Sequence, residues 1–390
     1  MRSILDTDLY KLTQQQFVLQ KYPRALAKYR FKNRNPNQPI TAEMIFDIRE
    51  DIRAMAHSQL TDAEEVWLRA ECPYLFSWYI DWLKTFRFKL EQIQITPCEQ
   101  DNGGPATYEY EVTGPWCETI LWEVPLLAII SKHIMAAQIN ISLNDELAIM
   151  ELTRAKGKKL REAGCKFVDF GTRRRFSYEN HSRVLEALID SAGENLLGTS
   201  NVHLAMAWKI KPIGTMAHEL IQAMAGLAGL RYANKYAMDA WNDVYKGSLG
   251  IMLPDTYGTD GFLKDFDGVY ARLFDGVRQD SGDPVEFLHK IVAHYKKLGI
   301  DPKSKTIVFS DSLNVEKAIK LQKVASPLMK VAFGIGTHLT NDIPNTTPAN
   351  IVIKLVEING IPVVKLSDTP GKAIGDPRAI EVAKWTFGIK

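Results

Sequence analysis

FVDFGTRRR (167–175) opens a stretch of the chain, ending at Leu339, in which one pattern recurs six times. A short apolar run ends in Gly, Thr, Ser, Asp or Arg, and a helix-like segment usually follows. The other endings are LLGTSN (196–201), PIGTMAH (212–218), LFDGVRQDSGDP (273–284), IVFSDSLN (307–314) and VAFGIGTHL (331–339). Short apolar runs bounded by turn residues are typical of buried parallel strands. The pattern predicts an α/β fold whose core is a partial or irregular TIM-like barrel.

The polar endings of these runs are expected to meet at one site. In α/β barrels the chemistry lies on the loops at the carboxyl ends of the strands. The endings supply Arg, Asp, several small residues and one His that we expect to be exposed at the barrel mouth. These are the groups that a site for phosphates and a sugar uses.

The rest of the chain predicts a second, smaller α/β domain. We place an N-terminal domain at 1–120, the barrel at 121–345, and a segment at 346–390 that returns to the smaller domain. Alternating segments flank a DNGG turn (101–104) and the turn in EINGIP (357–362). Each reads as a hairpin, and both hairpins are expected in the smaller domain.

Helical patterns occupy much of the first half of the chain. DIREDIRAMAHSQL (47–60) and TDAEEVWLRAEC (61–72) have helical spacing, with Thr61 an expected N-cap three residues before Glu64. A long helical pattern runs from about Trp122 to Ala163, and Gly164 is its expected stop.

Composition and charge exclude several classes of protein. The 390 residues are 46% hydrophobic and 24% charged, with a formal net charge of +2, so no nucleic-acid partner is expected. The N-terminus has no apolar signal-peptide core. The most apolar stretch (120–137) is interrupted by Glu123, Pro125 and Lys132, so no membrane span is expected. The cysteines form no C-x-x-C pair, which favours reduced thiols and a cytoplasmic location: Cys72, Cys98, Cys117 and Cys165.

His218 is the leading catalytic candidate among the histidines. It follows a Gly-Thr pair and precedes a helical pattern, which suits a base, a nucleophile or a phosphate ligand at the barrel mouth. The alternative is a histidine at a helix start with no role. Three weaker candidates follow other strand ends: His181, His203 and His338. Four more histidines lie in helical patterns: His57, His133, His289 and His294.

The segment from Arg278 to Pro284 holds an arginine and two carboxylates. Arg278 suits a phosphate or carboxylate, and Asp280 suits sugar hydroxyls, hydrated Mg²⁺ or a cationic transition state. Asp283 and Pro284 are explained as a helix N-cap and first helical residue. Function is therefore favoured for Arg278 and Asp280.

Two further endings point to anionic ligands. Gly336 and Thr337 end the last apolar run, where glycine lets the backbone approach a phosphate. Arg173 closes the first run behind Phe170, whereas Arg174 and Arg175 read as peripheral. Other rim residues are as typical of caps and turns as of ligands: Asp311, Ser200 and Asn201.

Seven motifs together resemble the nicotinate phosphoribosyltransferase family. In order they are DTDLYKLT (6–13), FGTRRR (170–175), GTSN (198–201), GTMAHE (214–219), RQDSGDP (278–284), FSDSLN (309–314) and FGIGT (333–337). The resemblance covers nearly the whole chain. Gln14 stands where many members have Met, a departure that touches no expected catalytic residue.

The resemblance implies an activity and a set of partners. It implies that nicotinate and 5-phosphoribosyl-1-diphosphate (PRPP) give nicotinate mononucleotide and diphosphate, in NAD salvage. It also implies ATP as a co-substrate that phosphorylates a histidine. Mg²⁺ is expected through the diphosphate near Asp280, without direct protein ligands, and a homodimer with shared active sites is expected as well.

The resemblance also implies roles for individual residues. His218 would take the phosphoryl group, while Tyr10, from a neighbouring subunit, and Phe170 would stack on the pyridine ring. The other residues implied are Arg173, Thr215 and Arg278 around the carboxylate and phosphates, Asp280 at the ribose hydroxyls, and Gly336 with Thr337 at the 5-phosphate. The role of Asp311 stays open.

Ser200 bears on the choice between nicotinate and nicotinamide. Relatives that use the amide carry an Asp after the Gly-Thr pair, and a carboxylate there would repel nicotinate. Ser200 therefore favours the acid. The alternatives are an enzyme that uses nicotinamide and a homologue that binds without catalysis.

Overall fold

A computed structural model of the chain describes residues 2–98, 107–139, 142–369 and 373–389. The strands in these ranges are β1 (Leu26–Asn33), β2 (Ile93–Cys98), β3 (Thr107–Pro115), β4 (Phe167–Asp169), β5 (Leu196–Thr199), β6 (Ile251–Met252), β7 (Gly276–Gln279), β8 (Thr306–Phe309), β9 (Lys330–Ile335), β10 (Ile351–Ile358) and β11 (Ile361–Pro362). The helices are α1 (Leu9–Lys21), α2 (Ala42–Met55), α3 (Asp62–Glu71), α4 (Ser77–Thr85), α5 (Trp116–Thr119), α6 (Glu123–Ala136), α7 (Leu143–Glu162), α8 (Tyr178–Ala192), α9 (Val202–Trp208), α10 (His218–Leu227), α11 (Ala233–Tyr245), α12 (Thr259–Asp265), α13 (Gly268–Leu273), α14 (Pro284–Lys297), α15 (Val315–Ala325), α16 (Thr337–Thr340) and α17 (Pro377–Phe387).

One of the two sheets is six-stranded and parallel, with the order β5-β4-β9-β8-β7-β6. Parallel pairing places all the strand ends at one edge, as the sequence pattern predicts. Within the described residues β5 and β6 do not pair with each other, so the sheet is open and the TIM-like barrel stays a prediction. The mixed α/β fold class is confirmed.

An antiparallel sheet joins both ends of the chain, with the order β11-β10-β1-β3-β2. The β2–β3 hairpin and the β10–β11 hairpin therefore share one sheet, with β1 between them. The DNGG turn lies outside the described residues. The domain boundaries at 120 and 345 stay predictions, because one continuous apolar core underlies both sheets.

The most apolar helical segment is a core element. Trp116–Ala136 is long and apolar enough to span a membrane, but 83% of its most apolar 18-residue window is buried inside the protein. Such burial is typical of a helix packed in a protein core, and α6 packs against α2 and β10.

Local sequence signals predicted several helix ends correctly, but two predicted elements are wrong. Thr61 and Glu64 form the expected capping box of α3, Asp283 caps α14, and Gly164 has the positive φ of +66° expected after α7. The single pattern from Trp122 to Ala163 is wrong, because α6 and α7 are separate helices. PIGTMAH is not a strand either: only Pro212 makes a bridge, to Thr199.

Candidate active site

Two adjoining cavities lie at the carboxyl ends of the parallel strands. We call the first, of about 660 Å³, the inner cavity, and its walls are Asp8, Tyr10, Glu123, Phe170, Arg173, Ser200, Ile213, Gly214, Ala217, His218, Glu219, Gln222, Arg278, Asp280, Ile353, Lys354 and Leu355. The second, of about 1110 Å³, is the outer cavity, lined by Phe170, Arg173, Arg174, Arg278, Asp280, Ser310, Ser312, Leu313, Asn314, Gly334, Gly336, Thr337, His338, Pro348, Ala349 and Asn350. Four residues line both and form their common wall: Phe170, Arg173, Arg278 and Asp280.

Two aromatic rings line the inner cavity. Phe170 follows β4, and its ring lies against Gly334 of β9, where an added Cβ would come within 2.3 Å of the ring. Tyr10 lies in the first turn of α1 and is buried in its own chain. The Leu9 N–H donates to the Ser200 carbonyl at 2.8 Å and holds this turn in place. Tyr10 therefore lines the inner cavity of its own chain, while its contribution to a neighbouring subunit stays a prediction.

Arg173 is held between two carboxylates without a hydrogen bond to either. Its Nε lies 3.6 Å from Asp8 Oδ2 and its Nη1 lies 3.7 Å from Glu123 Oε1. The guanidinium also lies 5.8 Å from the centre of the Tyr10 ring. These contacts orient the guanidinium while its N–H groups remain free to bind a ligand carboxylate.

A carboxyl group does lie beside Ser200. The Ser200 hydroxyl donates to Asp8 Oδ1 at 2.7 Å, and burial raises the pKa of this carboxyl. Asp8 therefore brings a carboxyl group beside the position where Ser200 replaces the Asp of relatives that use the amide. The sequence did not reveal Asp8, because its neighbour in space is 192 positions away.

A buried charge network supports the cavity from beneath. Lys11 Nζ lies 2.6 Å from Glu123 Oε2 and 2.5 Å from Glu219 Oε2. Trp116 Nε1 donates to Glu219 Oε1 at 2.7 Å, and the Tyr29 hydroxyl donates to the same oxygen. Burial favours the neutral acid, but Lys11 and other cations outweigh it and hold the pKa of Glu123 at about 2.

Lys354 of β10 brings a further cation to the inner cavity. Burial, reinforced by Arg173 and Lys365, lowers the pKa of its ammonium to about 8, against the opposing effect of Glu123. Among the described residues it has no hydrogen bond or ion pair, so its charge is available to a ligand.

His218 begins α10 and is buried, rather than exposed as the sequence suggested. Its Nε2 lies 2.8 Å from Asp255 Oδ1 and 3.5 Å from Asp280 Oδ2. Burial and Lys365 lower the pKa of the imidazole, against the pull of Asp255. Burial alone would raise the pKa of Asp255, but His218 and Lys365 hold it well below its usual range.

These pKa directions fix the tautomer of His218. An ionised Asp255 only accepts hydrogen bonds, so the Nε2 of the neutral imidazole carries the proton and donates it. The lone pair then lies on Nδ1, which is the ring nitrogen able to act as a nucleophile.

Arg278 and Asp280 lie where the cavities meet. Burial opposes ionisation of Asp280, but Arg278 and His218 outweigh it and hold the pKa of this carboxyl at about 2. Ser310 donates to Asp280 Oδ1 at 2.8 Å. Arg278 Nε is buried without a partner, so this donor suits a ligand oxygen.

The outer cavity has features suited to phosphate. Gly336 approaches the Phe170 backbone so closely that an added Cβ would come within 3.0 Å of its oxygen. Thr337 and Arg174 line the same space, so Arg174 is not peripheral as expected. Arg175, in contrast, is buried against Asp6, with Nη1 2.7 Å from Asp6 Oδ1.

Two predicted ligands do not line either cavity. The Thr215 hydroxyl donates to the Ile251 carbonyl at 3.1 Å, while its own carbonyl accepts from Thr13 at 2.7 Å, so Thr215 holds its loop in place. Asp311 lines a separate groove with Lys317, although its neighbours Ser310 and Ser312 line the outer cavity.

Sequence reasoning also missed functional residues that come from distant segments: Asp8, Glu123, Asp255, Lys354 and Lys365. Only one had a usable signal. GIML (250–253) is a short apolar run followed by Pro-Asp-Thr, which resembles the other strand endings and leads to Asp255. Lys354 lies in an alternating strand, where a lysine reads as a solvent-facing residue.

Family models match most of the chain. The N-terminal domain model of the nicotinate phosphoribosyltransferase (NAPRTase) family matches residues 5–131, and the main NAPRTase family model matches residues 165–390. A nicotinate phosphoribosyltransferase from Methanosarcina mazei is 42% identical, with 100% of this chain and 99% of that protein covered. One from Chromohalobacter salexigens is also 42% identical, with 99% and 98% covered.

Solved structures agree with the sequence matches. The crystal structure of a nicotinate phosphoribosyltransferase from Porphyromonas gingivalis has a TM-score of 0.95 and 42% identity, with 100% of both chains covered. A second, from Vibrio cholerae, has a TM-score of 0.93 and 34% identity, with 100% of this chain and 94% of that chain covered. The fold of this chain therefore matches those of solved nicotinate phosphoribosyltransferases over its whole length.

Proposed function

The chain belongs to the nicotinate phosphoribosyltransferase family, and on this premise we propose how its two cavities divide the reaction. The enzyme joins nicotinate to PRPP and gives nicotinate mononucleotide and diphosphate. One observation carries the division of labour: Arg278 and Asp280 line both cavities. A pyridine ring in the inner cavity and phosphates in the outer cavity would meet at these two residues.

The inner cavity would hold nicotinate. The ring stacks between Tyr10 and Phe170, and its carboxylate binds the free N–H groups of Arg173. Lys354 adds positive charge to the same space and balances Asp8. The preference for the acid over the amide therefore rests on these cations rather than on Ser200 alone.

The outer cavity would hold the 5-phosphate of PRPP against Gly336 and Thr337. Loss of diphosphate breaks the C1–oxygen bond and leaves positive charge on the ribosyl group. The ionised Asp280 stabilises that charge and binds ribose hydroxyls, while Arg278 binds the departing diphosphate. The pyridine nitrogen attacks C1 with its own lone pair, so no general base is needed.

His218 would couple ATP to this reaction. Its Nδ1 attacks the γ-phosphorus of ATP, the bond to the bridging oxygen breaks, and ADP leaves. Asp255 accepts the Nε2–H hydrogen bond and stabilises the positive imidazole ring as the P–N bond forms. Water later cleaves the P–N bond and returns phosphate and free His218. The phosphoryl group alters local charge, so ATP energy is used through changed affinity for PRPP.

Mg²⁺ would bind mainly through the substrate. His218, Asp255 and Asp280 offer ligand atoms within 4.8 Å of one another. Asp255 is already engaged, because Oδ1 accepts from His218, while Oδ2 accepts from Ser281 and lies 2.9 Å from Lys365 Nζ. Asp280 is the carboxylate that fits a partly hydrated Mg²⁺ shared with diphosphate, where the ion would neutralise the leaving group.

We also propose a homodimer in the cytoplasm. The described cysteines Cys72, Cys117 and Cys165 are buried and unpaired, as expected in a reducing compartment. The dimer would have shared active sites, as membership of the family implies. Sedimentation equilibrium of the wild type measures the assembly, and a monomer at all concentrations contradicts it.

The His218→Ala variant tests the phosphoryl transfer. Incubation with ATP, PRPP, Mg²⁺ and nicotinate should give no ADP in step with product, while slow PRPP-dependent synthesis of mononucleotide continues. Both products are measured in one chromatogram, with His294→Ala as the control. His294 bonds the Phe266 carbonyl outside the cavities. ADP formed in step with mononucleotide by His218→Ala would contradict the assignment.

Turnover of the acid and the amide separates the remaining alternatives. We expect kcat/KM for nicotinate to exceed that for nicotinamide, and Arg173→Ala to reduce the former by about a hundredfold through loss of a charged hydrogen-bonded pair. A higher kcat/KM for nicotinamide in the wild type would support the amide alternative. Absence of diphosphate release with either substrate would support a binding homologue.

A further inference from the structure

A buried hydrogen-bond network lies beneath the pyridine subsite, and its centre is Asp169 at the end of β4. The Asp169 side chain is fully buried, and so is His181 on α8. His181 Nε2 lies 2.6 Å from Asp169 Oδ2. Neither residue lines the inner or the outer cavity, so any effect on substrate must pass through neighbouring residues.

The Asp169 carboxylate connects two loops of the site. The Thr199 hydroxyl donates to Oδ2 at 2.6 Å, and the Gly171 N–H donates to Oδ1 at 2.9 Å. Thr199 Oγ1 in turn accepts from the Asn201 N–H at 3.1 Å. The network thus joins the loop after β4 to the loop after β5.

Each loop carries one wall residue of the inner cavity between two members of the network. Phe170 lies between Asp169 and Gly171, and Ser200 lies between Thr199 and Asn201. The Ser200 N–H also donates to the Asp169 carbonyl at 2.8 Å. The carboxylate therefore sets the spacing between the aromatic wall and the Ser200–Asp8 wall.

His181 is the one ionisable partner of Asp169 within 4 Å among the described residues. Its Nδ1 is buried without a hydrogen bond, so within the described part of the chain the ring bonds to Asp169 alone. A buried carboxylate that loses a donor is strongly destabilised, because no water replaces the bond. Loss of the imidazole would therefore displace Asp169 and both attached loops.

We propose that His181 and Asp169 are positioning residues for the pyridine substrate, which hold Phe170 and Ser200 at the separation that the ring requires. The inference rests on the proposed function, in which Phe170 stacks on nicotinate. The proposed 5-phosphate contacts are Gly336, which follows β9, and Thr337, which begins α16, and within the described residues neither has a hydrogen bond to Asp169 or His181. Nicotinate binding should thus depend on His181 more strongly than PRPP binding.

The test compares His181→Leu with His181→Gln. Leucine removes the donor, whereas the glutamine amide offers an N–H near the position of Nε2. We expect KM for nicotinate to rise about tenfold or more in His181→Leu, with KM for PRPP within about twofold of wild type. Glutamine should restore most of the nicotinate affinity. His294→Leu, which removes a histidine hydrogen bond on α14, is the matched control.

Three outcomes would overturn the inference: no change in KM for nicotinate, equal increases in both KM values, or no rescue by glutamine. If His181→Leu fails to fold, Thr199→Val removes another donor to the same carboxylate, and the same selective rise in KM is required. Phe170→Ala separates this inference from the proposed function. If Phe170→Ala leaves KM for nicotinate unchanged, the ring does not stack there and the proposed subsite itself is wrong.

Discussion

Lys365 controls the charge state of His218 at the scale of single residues. Burial and the nearby ammonium both lower the pKa of the imidazole, which favours the neutral ring that the proposed phosphoryl transfer requires. Lys365→Met removes the cation, so the pKa of His218 rises and the ring protonates at higher pH. The acidic limb of the pH profile for ATP hydrolysis should therefore move about one pH unit upward.

The pH profile of Lys365→Met needs a control that changes only surface charge. Lys290→Met is this control, because Lys290 Nζ lies 2.9 Å from Asp260 Oδ1 on the exposed surface. Its acidic limb should coincide with that of the wild type. A limb that stays in place or moves to lower pH in Lys365→Met would show that another group governs the profile.

Gly334 limits the position of the Phe170 ring. A Cβ at Gly334 would lie within 2.3 Å of the ring, so Gly334→Ala must push the ring into the inner cavity. We expect kcat/KM for nicotinate to fall about tenfold, in line with the cost of overpacking. Gly268→Ala is the control, since its added Cβ meets only the end of the exposed Arg272 side chain. Equal kinetics in the two variants would contradict this role.

Sequence motifs identified residues that directly follow an apolar strand in the chain. Arg278, Asp280 and Phe170 were found because each follows an apolar run, and all three line both cavities. Asp8 was missed because its contacts with Arg173 and Ser200 depend on how α1 docks on the parallel sheet. Pairings of this kind follow from tertiary packing, which one sequence does not encode locally.

The segment before α1 is fixed by one buried ion pair. Asp6 accepts from Arg175 Nη1 and Nη2, both at 2.7 Å, and from Asn201 Nδ2 at 2.8 Å. Asp6→Asn leaves a buried arginine without its counter-ion, so we expect the free energy of unfolding to fall by about 3 kcal/mol at pH 7. Urea titration measures this change.

The pH dependence gives this prediction a direction. Burial opposes ionisation of Asp6, but Arg175 outweighs it and holds the pKa of the carboxyl well below that of the unfolded chain. The stabilisation is therefore present above about pH 4 and lost as the pH falls further. The gap between wild type and Asp6→Asn should narrow in acid. Arg2→Ala, which breaks an exposed pair with Glu179, should change stability by less than about 1 kcal/mol at either pH.

Elements were predicted where the local pattern agreed with the packing. The apolar runs correctly predicted β4, β5, β7, β8 and β9. PIGTMAH was wrongly predicted to end a strand, because its backbone pairs with β5 only at Pro212. β6 was missed because two residues, Ile251 and Met252, are too short to show a period. That short strand nonetheless leads to Asp255, the partner of His218.

At the scale of the whole molecule, charged side chains around the inner cavity connect the two sheets. Lys11 of α1 pairs with Glu123 of α6 and with Glu219, the neighbour of His218 on α10. Lys354 and Lys365 bring the C-terminal segment to the same cavity and to Asp255. The charged side chains around the inner cavity therefore come from both ends of the chain, and neither sheet supplies all of them.

Removal of residues 346–390 tests this dependence at the scale of the fold. The segment contributes β10, which pairs with β1 over seven registered residue pairs, and it buries several apolar side chains: Ile351, Ile353, Leu355, Ile358, Val363, Val364 and Leu366. Burial of each such side chain contributes about 1.5–3 kcal/mol to the free energy of unfolding, whereas the total free energy of unfolding of a protein is about 5–15 kcal/mol. The truncated chain should show no cooperative unfolding transition by circular dichroism. Trp385→Ala, a change at a side chain that is 85% exposed, should unfold like the wild type. A cooperative transition in the truncated chain would mean that the N-terminal hairpin and the parallel sheet are stable without β10.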